Sequence, residues 1–291
     1  MKIRGLLKKL NHSDGSIPIK LVAAVCMIMM ISQTGVASTS GKDHIDVNIE
    51  FCSETVEKNV TETDPVVARL IELAKTDHAE LLKWSMSVYR QNIKDYTVTL
   101  HKQERIDGVL MKPQDIAIWF RESPYSVLMK WEKNPASVDK LLYVENRKNN
   151  KMFVHPTGVF SWIKSVKRSP RCEEVQKSSL RACDEFGFYR TMESLLKIYE
   201  SAVAANNIKM NYLGRGKVFD RDCITMEAVL PKSDSYPCKR MIMQFDSQHI
   251  LPIGLVLYDC DDKLVSKYFF SNIRLNAGLK DETFSRKKNR L

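Results

Sequence analysis

Seven cysteines and six histidines are the residues of this chain most able to do chemistry, and their spacing decides what kind. Cys26 sits inside an apolar N-terminal run. The other six are Cys52, Cys172, Cys183, Cys223, Cys238 and Cys260. An even count would suit disulfides were the chain exported, and six cysteines allow fifteen connectivities that sequence does not choose among. Cys172 with Cys183, and a pair drawn from Cys223, Cys238 and Cys260, are the nearest in sequence. The competing reading is buried free thiols, which pack well in cores. No pair is spaced Cys-x-x-Cys, which argues against a zinc knuckle or a thioredoxin-type redox site.

Beyond residue 37 the histidines His44, His78, His101, His155 and His249 stand singly, with no spacing that suggests metal ligation. Gly-x-Ser-x-Gly, His-Glu-x-x-His, Walker and Gly-x-Gly-x-x-Gly motifs are all missing from the sequence. Gly214-Arg215-Gly216 precedes strand-like residues and reads as a bend. The acidic group in Tyr258-Asp259-Cys260-Asp261-Asp262 falls at a turn and lacks a full set of calcium ligands. The sequence therefore points to no enzyme, no cofactor and no metal.

Charge narrows the partner. The chain carries a formal +10 over 291 residues. Residues 1–37 hold five basic side chains and one acidic; residues 280–291 hold five basic and two acidic. The stretch between them is close to balanced, which argues against a nucleic-acid partner. Basic residues, an 11-residue apolar run from Leu21 to Ile31 and small residues at Gly35 and Ala37 follow the order of a secretory signal cleaved near Ala37. The alternative is an N-terminal anchor in the inner membrane, but the run falls short of the roughly 20 apolar residues that span a bilayer. Periplasmic export is the expectation. Residues 38–63 read as a flexible lead-in and residues 280–291 as a solvated, frayed basic tail, with membrane-surface contact open to it.

With 44% hydrophobic and 27% charged residues, and only 11 Gly and 10 Pro, the rest is ordinary globular chain. Asp64-Pro65 opens one helix ending near Ile93, with Val67, Leu70, Ile71, Ala74, His78, Leu81, Leu82 and Tyr89 on one stripe. His78 on that stripe reads as a hydrogen-bonded core histidine. Tyr96, Val98 and Leu100 then alternate with Thr97, Thr99 and His101, a strand. Asp107-Gly108 is a hairpin turn, and strands at 116–120, 127–131, 141–144 and 152–154 follow as an antiparallel meander. An irregular excursion spans 156–187. A second helix covers 190–204, and strands resume at 209–218, 222–230, 238–246, 251–259 and 263–273. Antiparallel sheets normally alternate, yet Ile116–Phe120, Leu141–Val144 and Ile253–Tyr258 are apolar on both faces. Helices, a partner or an apolar ligand must cover the second face.

The stretch Asp95-Tyr96-Thr97-Val98 through Lys102-Gln103-Glu104-Arg105-Ile106-Asp107-Gly108 resembles the bacterial DUF1571 family. So do Phe120-Arg121-Glu122-Ser123-Pro124-Tyr125-Ser126-Val127-Leu128-Met129-Lys130-Trp131, Leu142-Tyr143-Val144-Glu145-Asn146 and Met152-Phe153-Val154-His155-Pro156. The resemblance runs over about residues 66–284, and departs from the family where Ser137-Val138-Asp139-Lys140 stands in place of a segment with Gly. It implies similarity to the periplasmic lipoprotein-carrier (LolA-like) fold: α+β, a curved antiparallel sheet or incomplete β-barrel wrapped around two or more helices. Residues 64–279 would form that single half-barrel domain. Trp119, Phe120, Met129, Trp131, Tyr143 and Phe153 are the candidate lining of an apolar cavity, with Arg121 at its polar rim or as an intramolecular brace. The expectation is an exported envelope protein that binds a lipid or acyl chain without chemistry. The alternative is an envelope signalling or interaction module that binds a peptide or partner protein on the same face.

Overall fold

The structure is a computed structural model, and it describes residues 64–205, 207–233 and 236–291. The leader 1–37, the lead-in 38–63 and Cys52 lie outside the described residues. Asp64 caps α1 (Pro65–Thr76) by accepting from the Val66 N–H at 2.9 Å, with Pro65 at the first helical position. The single long helix expected here is two. Asp77 leaves helical geometry at φ −152°, ψ 92°, and its side chain caps α2 (His78–Asn92) through the Glu80 N–H. The apolar stripe survives the break because both helices bury the same side, through Leu70, Ala74, Leu81, Leu82 and Tyr89.

Twelve strands among the described residues form one antiparallel sheet. β1 (Asp95–Ile106) turns at Asp107-Gly108, both at positive φ, into the two-residue β2 (Val109–Leu110). β3 (Gln114–Arg121), β4 (Ser126–Lys133), β5 (Val138–Val144), β6 (Met152–Pro156) and the short β7 (Val166–Arg168) then step outward to one edge. A four-residue helix, α3 (Glu173–Gln176), and then α4 (Phe188–Ala204) cross to the other edge. From there β8 (Lys209–Val218), β9 (Arg221–Val229), β10 (Arg240–Asp246), β11 (Pro252–Tyr258) and β12 (Leu264–Leu275) step back inward, and β12 closes against β1. The sheet is curved and open, with β7 and β8 as its free edges.

Helices pack on one face. α4 buries Phe188, Met192, Leu195, Tyr199 and Ala202 at helical spacing, and it lies along α2. His78 is fully buried between them, with Nδ1 2.9 Å from Tyr199 Oη and Nε2 2.8 Å from the Ala74 carbonyl.

The second face of β3–β6 is covered by the chain's own end. A 3₁₀ turn (Asp281–Phe284) and α5 (Arg286–Asn289) place Phe284 and Leu291, 3% and 8% exposed, against Leu128, Leu142, Val144 and Phe153. The segment 280–291 is therefore packed rather than frayed. Its charged side chains occupy the outer side of a segment whose two apolar residues do the anchoring. No helix among the described residues is long and apolar enough to cross a membrane.

Candidate functional site

The six residues expected to line one cavity do not share a face. Phe120, Met129, Trp131 and Tyr143 point toward the helices and belong to the main core or pack against it. Phe120 is fully buried, stacked on Tyr96 at a 4.8 Å centroid distance, with Tyr125 edge-on at 5.2 Å. Trp131 donates from Nε1 to Gln114 Oε1 at 3.2 Å. Trp119 and Phe153 lie on the opposite face, because strand side chains alternate. Phe153 is covered by the C-terminal segment, with the Arg286 guanidinium 3.8 Å from its ring. Arg121 is braced within the chain: it reaches Asp281 at 2.8 Å and lies 4.9 Å from the Phe284 ring. It forms no rim.

A cavity of about 440 Å³ opens elsewhere, on the face opposite the helices, where β3, β1 and β12 meet. Its floor is Thr97 and Thr99 of β1 with Ala117 and Trp119 of β3, paired Thr97 to Trp119 and Thr99 to Ala117. Two threonines and an alanine leave room beside the indole. One wall is Asn272 and Arg274 of β12. A β-bulge shapes it: Thr97 pairs with Arg274 and Thr99 with Ser271, so two residues of β12 oppose Val98 alone. Asn272 sits there at φ 52° and donates from Nδ2 to Thr99 Oγ1 at 3.2 Å.

The other wall is Asp220 of the β8–β9 turn and Arg221, the first residue of β9. That turn comes from the far edge of the sheet, and its Phe219 ring lies 4.7 Å from the His101 ring of β1. The sheet curls enough to bring them together. Arg221 is held by the Asp246 carboxylate and by Gln248 Oε1 at 3.1 Å. Arg274 is exposed and has no ionic partner among the described residues. Lys130 lies 4.8 Å from the Trp119 ring, and burial, with Lys140 adding its charge, pulls its pKa below the usual lysine value.

Beside this groove, His101 is bonded on both nitrogens. Nδ1 lies 2.7 Å from Asp115 Oδ1 of β3, and Nε2 lies 2.8 Å from Ser271 Oγ of β12. Sequence reasoning saw His101 as one alternating strand residue and missed its partners. The only early signal was Thr97, Thr99 and His101 falling on one face of β1; which strands flank β1 is a tertiary fact. A histidine–aspartate pair recurs at His155 and Asp139, 2.7 Å apart, but there the second nitrogen meets the Ser161 carbonyl at 3.1 Å.

Cys172, Cys183, Cys223, Cys238 and Cys260 are free, so the expected disulfides are not present among the described residues. Burial accounts for three of them. It raises the Cys183 thiol well above its usual range, and pushes Cys223 up to about 12 and Cys238 to about 11. Among the described residues no three His, Cys, Asp or Glu side chains are grouped to hold a metal ion.

Residues 93–290 match the family described as "Protein of unknown function (DUF1571)". That match begins just after α2, later than the residue 66 expected from the sequence, and ends at 290, beyond the expected 284. No curated protein matches the chain. Among solved structures, MucB is 12% identical with a TM-score of 0.44, over 72% of this chain and 63% of the MucB chain. The chain thus spans less than two thirds of MucB's length. A protein described as a "putative outer membrane lipoprotein-sorting protein domain from Vibrio parahaemolyticus" is 10% identical over 77% of this chain and 97% of its own, with a TM-score of 0.34. A LolA superfamily protein from Nitrosomonas europaea is 10% identical over 78% and 99%, with a TM-score of 0.28.

Proposed function

The chain belongs to the DUF1571 family, and we propose that it is an exported envelope protein that binds a lipid or acyl chain in the groove between Trp119 and Arg274. The groove itself carries this reading. Its volume of about 440 Å³ falls within the range of about 300–1,000 Å³ usual for small-molecule sites. An indole and small side chains at one end suit an apolar chain; Arg274, Asn272 and the threonine hydroxyls suit a polar or charged end. Each buried methylene would contribute about 0.8 kcal/mol, so holding such a ligand needs no covalent step. The export expectation rests on residues 1–37. The exposed Lys287, Lys288 and Arg290 of the packed C-terminal segment suit contact with an anionic membrane surface.

The experiment is native mass spectrometry, with solvent extraction, of the full chain purified from an exporting cell. A co-purifying lipid or fatty acid whose occupancy falls in Trp119→Ala supports the reading. Ligand-free protein that takes up no added lipid contradicts it.

One observation favours a partner protein instead. Val159 and Trp162, each 78% exposed, stand together in the β6–β7 connection beside the edge strand β7. Exposed aromatics at a free edge are a common protein-binding pattern. A stoichiometric partner lost on Trp162→Ala, with lipid binding absent, would favour that module.

A further inference from the structure

Next to the groove floor stands a chain of three side chains that the binding reading does not use. Asp115, His101 and Ser271 come from three adjacent strands, β3, β1 and β12, and project from the same face. A carboxylate only accepts, so the 2.7 Å contact to Asp115 places the proton on His101 Nδ1. In the neutral imidazole Nε2 is then the acceptor, and the Ser271 hydroxyl, 2.8 Å away, is placed to donate to it. Both distances lie within the about 2.6–3.2 Å expected of a nucleophile, its base and the group that orients the base. The side chains of His101 and Asp115 are 18% and 28% exposed, neither sealed in the core nor fully in water.

We propose that Ser271, His101 and Asp115 form a serine-hydrolase site beside the groove, acting on a carboxylic ester of an acyl chain bound there. The proposal rests on the groove being the ligand site and goes beyond binding.

Three features of the chain fit a site better than a brace. Thr99, a residue of the groove floor, is two residues from His101 on the same face and pairs with Ser271, so the hydroxyl stands next to the floor. Ser271 stands at the edge of the bulge, followed by Asn272 at φ 52°, where an irregular backbone presents the nucleophile beside the cavity. Phe219, itself at φ 54°, an unfavourable geometry for a large side chain, packs its ring against the imidazole from the β8–β9 turn. The His155–Asp139 pair gives the contrast. It ends on a backbone carbonyl and has no hydroxyl to activate.

In the reaction, Ser271 Oγ bonds to the ester carbonyl carbon while its proton passes to His101 Nε2. The C–O bond to the alcohol breaks, and the alkoxide takes that proton to leave as the alcohol. Water then attacks the acyl-serine, giving up a proton to His101, and the carboxylic acid departs as the proton returns to Ser271. Asn272 Nδ2 and the Thr99 hydroxyl are the donors flanking Ser271 that can face the oxyanion. Asp115 is a positioning residue that fixes the imidazole tautomer.

The test is labelling of the full chain with a fluorophosphonate probe, with the modified peptide mapped by mass spectrometry, alongside turnover of p-nitrophenyl acyl esters. One adduct on Ser271 is expected, abolished in Ser271→Ala and slowed about 10²–10⁴-fold in His101→Gln. In Asp115→Asn, the pH profile of labelling should shift while the thermal melt changes little. Melting curves establish that each variant is folded. A folded wild type that takes no label, or a label that persists in Ser271→Ala, overturns the site. Spin-labelled fatty-acid binding by the wild type separates the two readings: saturable binding without labelling keeps the groove and overturns the hydrolase site, whereas no binding removes both.

Discussion

The Arg121 guanidinium joins two parts of the chain that are far apart in sequence, lying 2.8 Å from Asp281 Oδ1 and 4.9 Å from the Phe284 ring. It clamps the C-terminal segment onto β3. The clamp has a polar half and an apolar half, and their energetic weights differ. Asp281 is exposed, so its ion pair is screened by solvent. Phe284 is buried against Leu128, Leu142, Val144 and Phe153.

Phe284→Ala is therefore expected to cost about 3–5 kcal/mol, the usual range for deleting a buried phenylalanine. Asp281→Asn should move the urea midpoint little. Equilibrium urea unfolding of the two variants checks the order. Equal effects would mean that the ion pair, and not the ring, holds the segment.

Burial pushes the His78 pKa below 6.5, with the Ala74 carbonyl and Asp77 partly offsetting it. The unfolded chain titrates near 6.5, so below that pH it binds more protons than the folded one. The stability His78 contributes is complete above about 6.5 and declines as pH falls toward the lowered folded value, by at most ~1.4 kcal/mol per pH unit. The stability gap between wild type and His78→Gln should accordingly shrink on acidification. A gap that does not change with pH contradicts this.

Asp77 ends one helix and starts the next. Asp77→Ala removes the acceptor for the Glu80 N–H, 2.9 Å away, and should cost about 1 kcal/mol. Hydrogen exchange is the discriminating measurement, with protection lost first in the opening turn of α2. Uniform loss across both helices would show that the break is not set by the cap.

Most strands were legible because alternation and turn residues are local. Residues 209–218 form a strand with the expected limits, and Asp107-Gly108 makes the expected hairpin turn. The two-faced apolar strands correctly demanded a second cover. The sequence did not reveal that Phe284 and Leu291 supply it over β4–β6, because a short segment rich in Lys and Arg shows no periodicity. Asp77 was hidden for a related reason: the apolar stripe runs through it without a gap, and only the backbone turns.

The site was less legible. Period-two alternation shows that Trp119 and Phe120 face opposite ways, yet the assignment of a single lining ran across that alternation. The groove depends on β1 lying between β3 and β12 and on the β8–β9 turn reaching over it. Those neighbours are set by long-range pairing, which no local pattern encodes. His101, Asp115 and Ser271 are unremarkable in sequence and adjacent only once that pairing exists.

The most direct measurement is quenching of Trp119 by a fatty acid with a spin label on its acyl chain, comparing wild type with Trp119→Phe. Four tryptophans contribute to the signal, so the difference isolates the groove. A saturable quench in wild type that is lost in Trp119→Phe and weakened in Arg274→Ala is the predicted result. Quenching that is the same in all three proteins would place the lipid elsewhere and contradict the groove as its site.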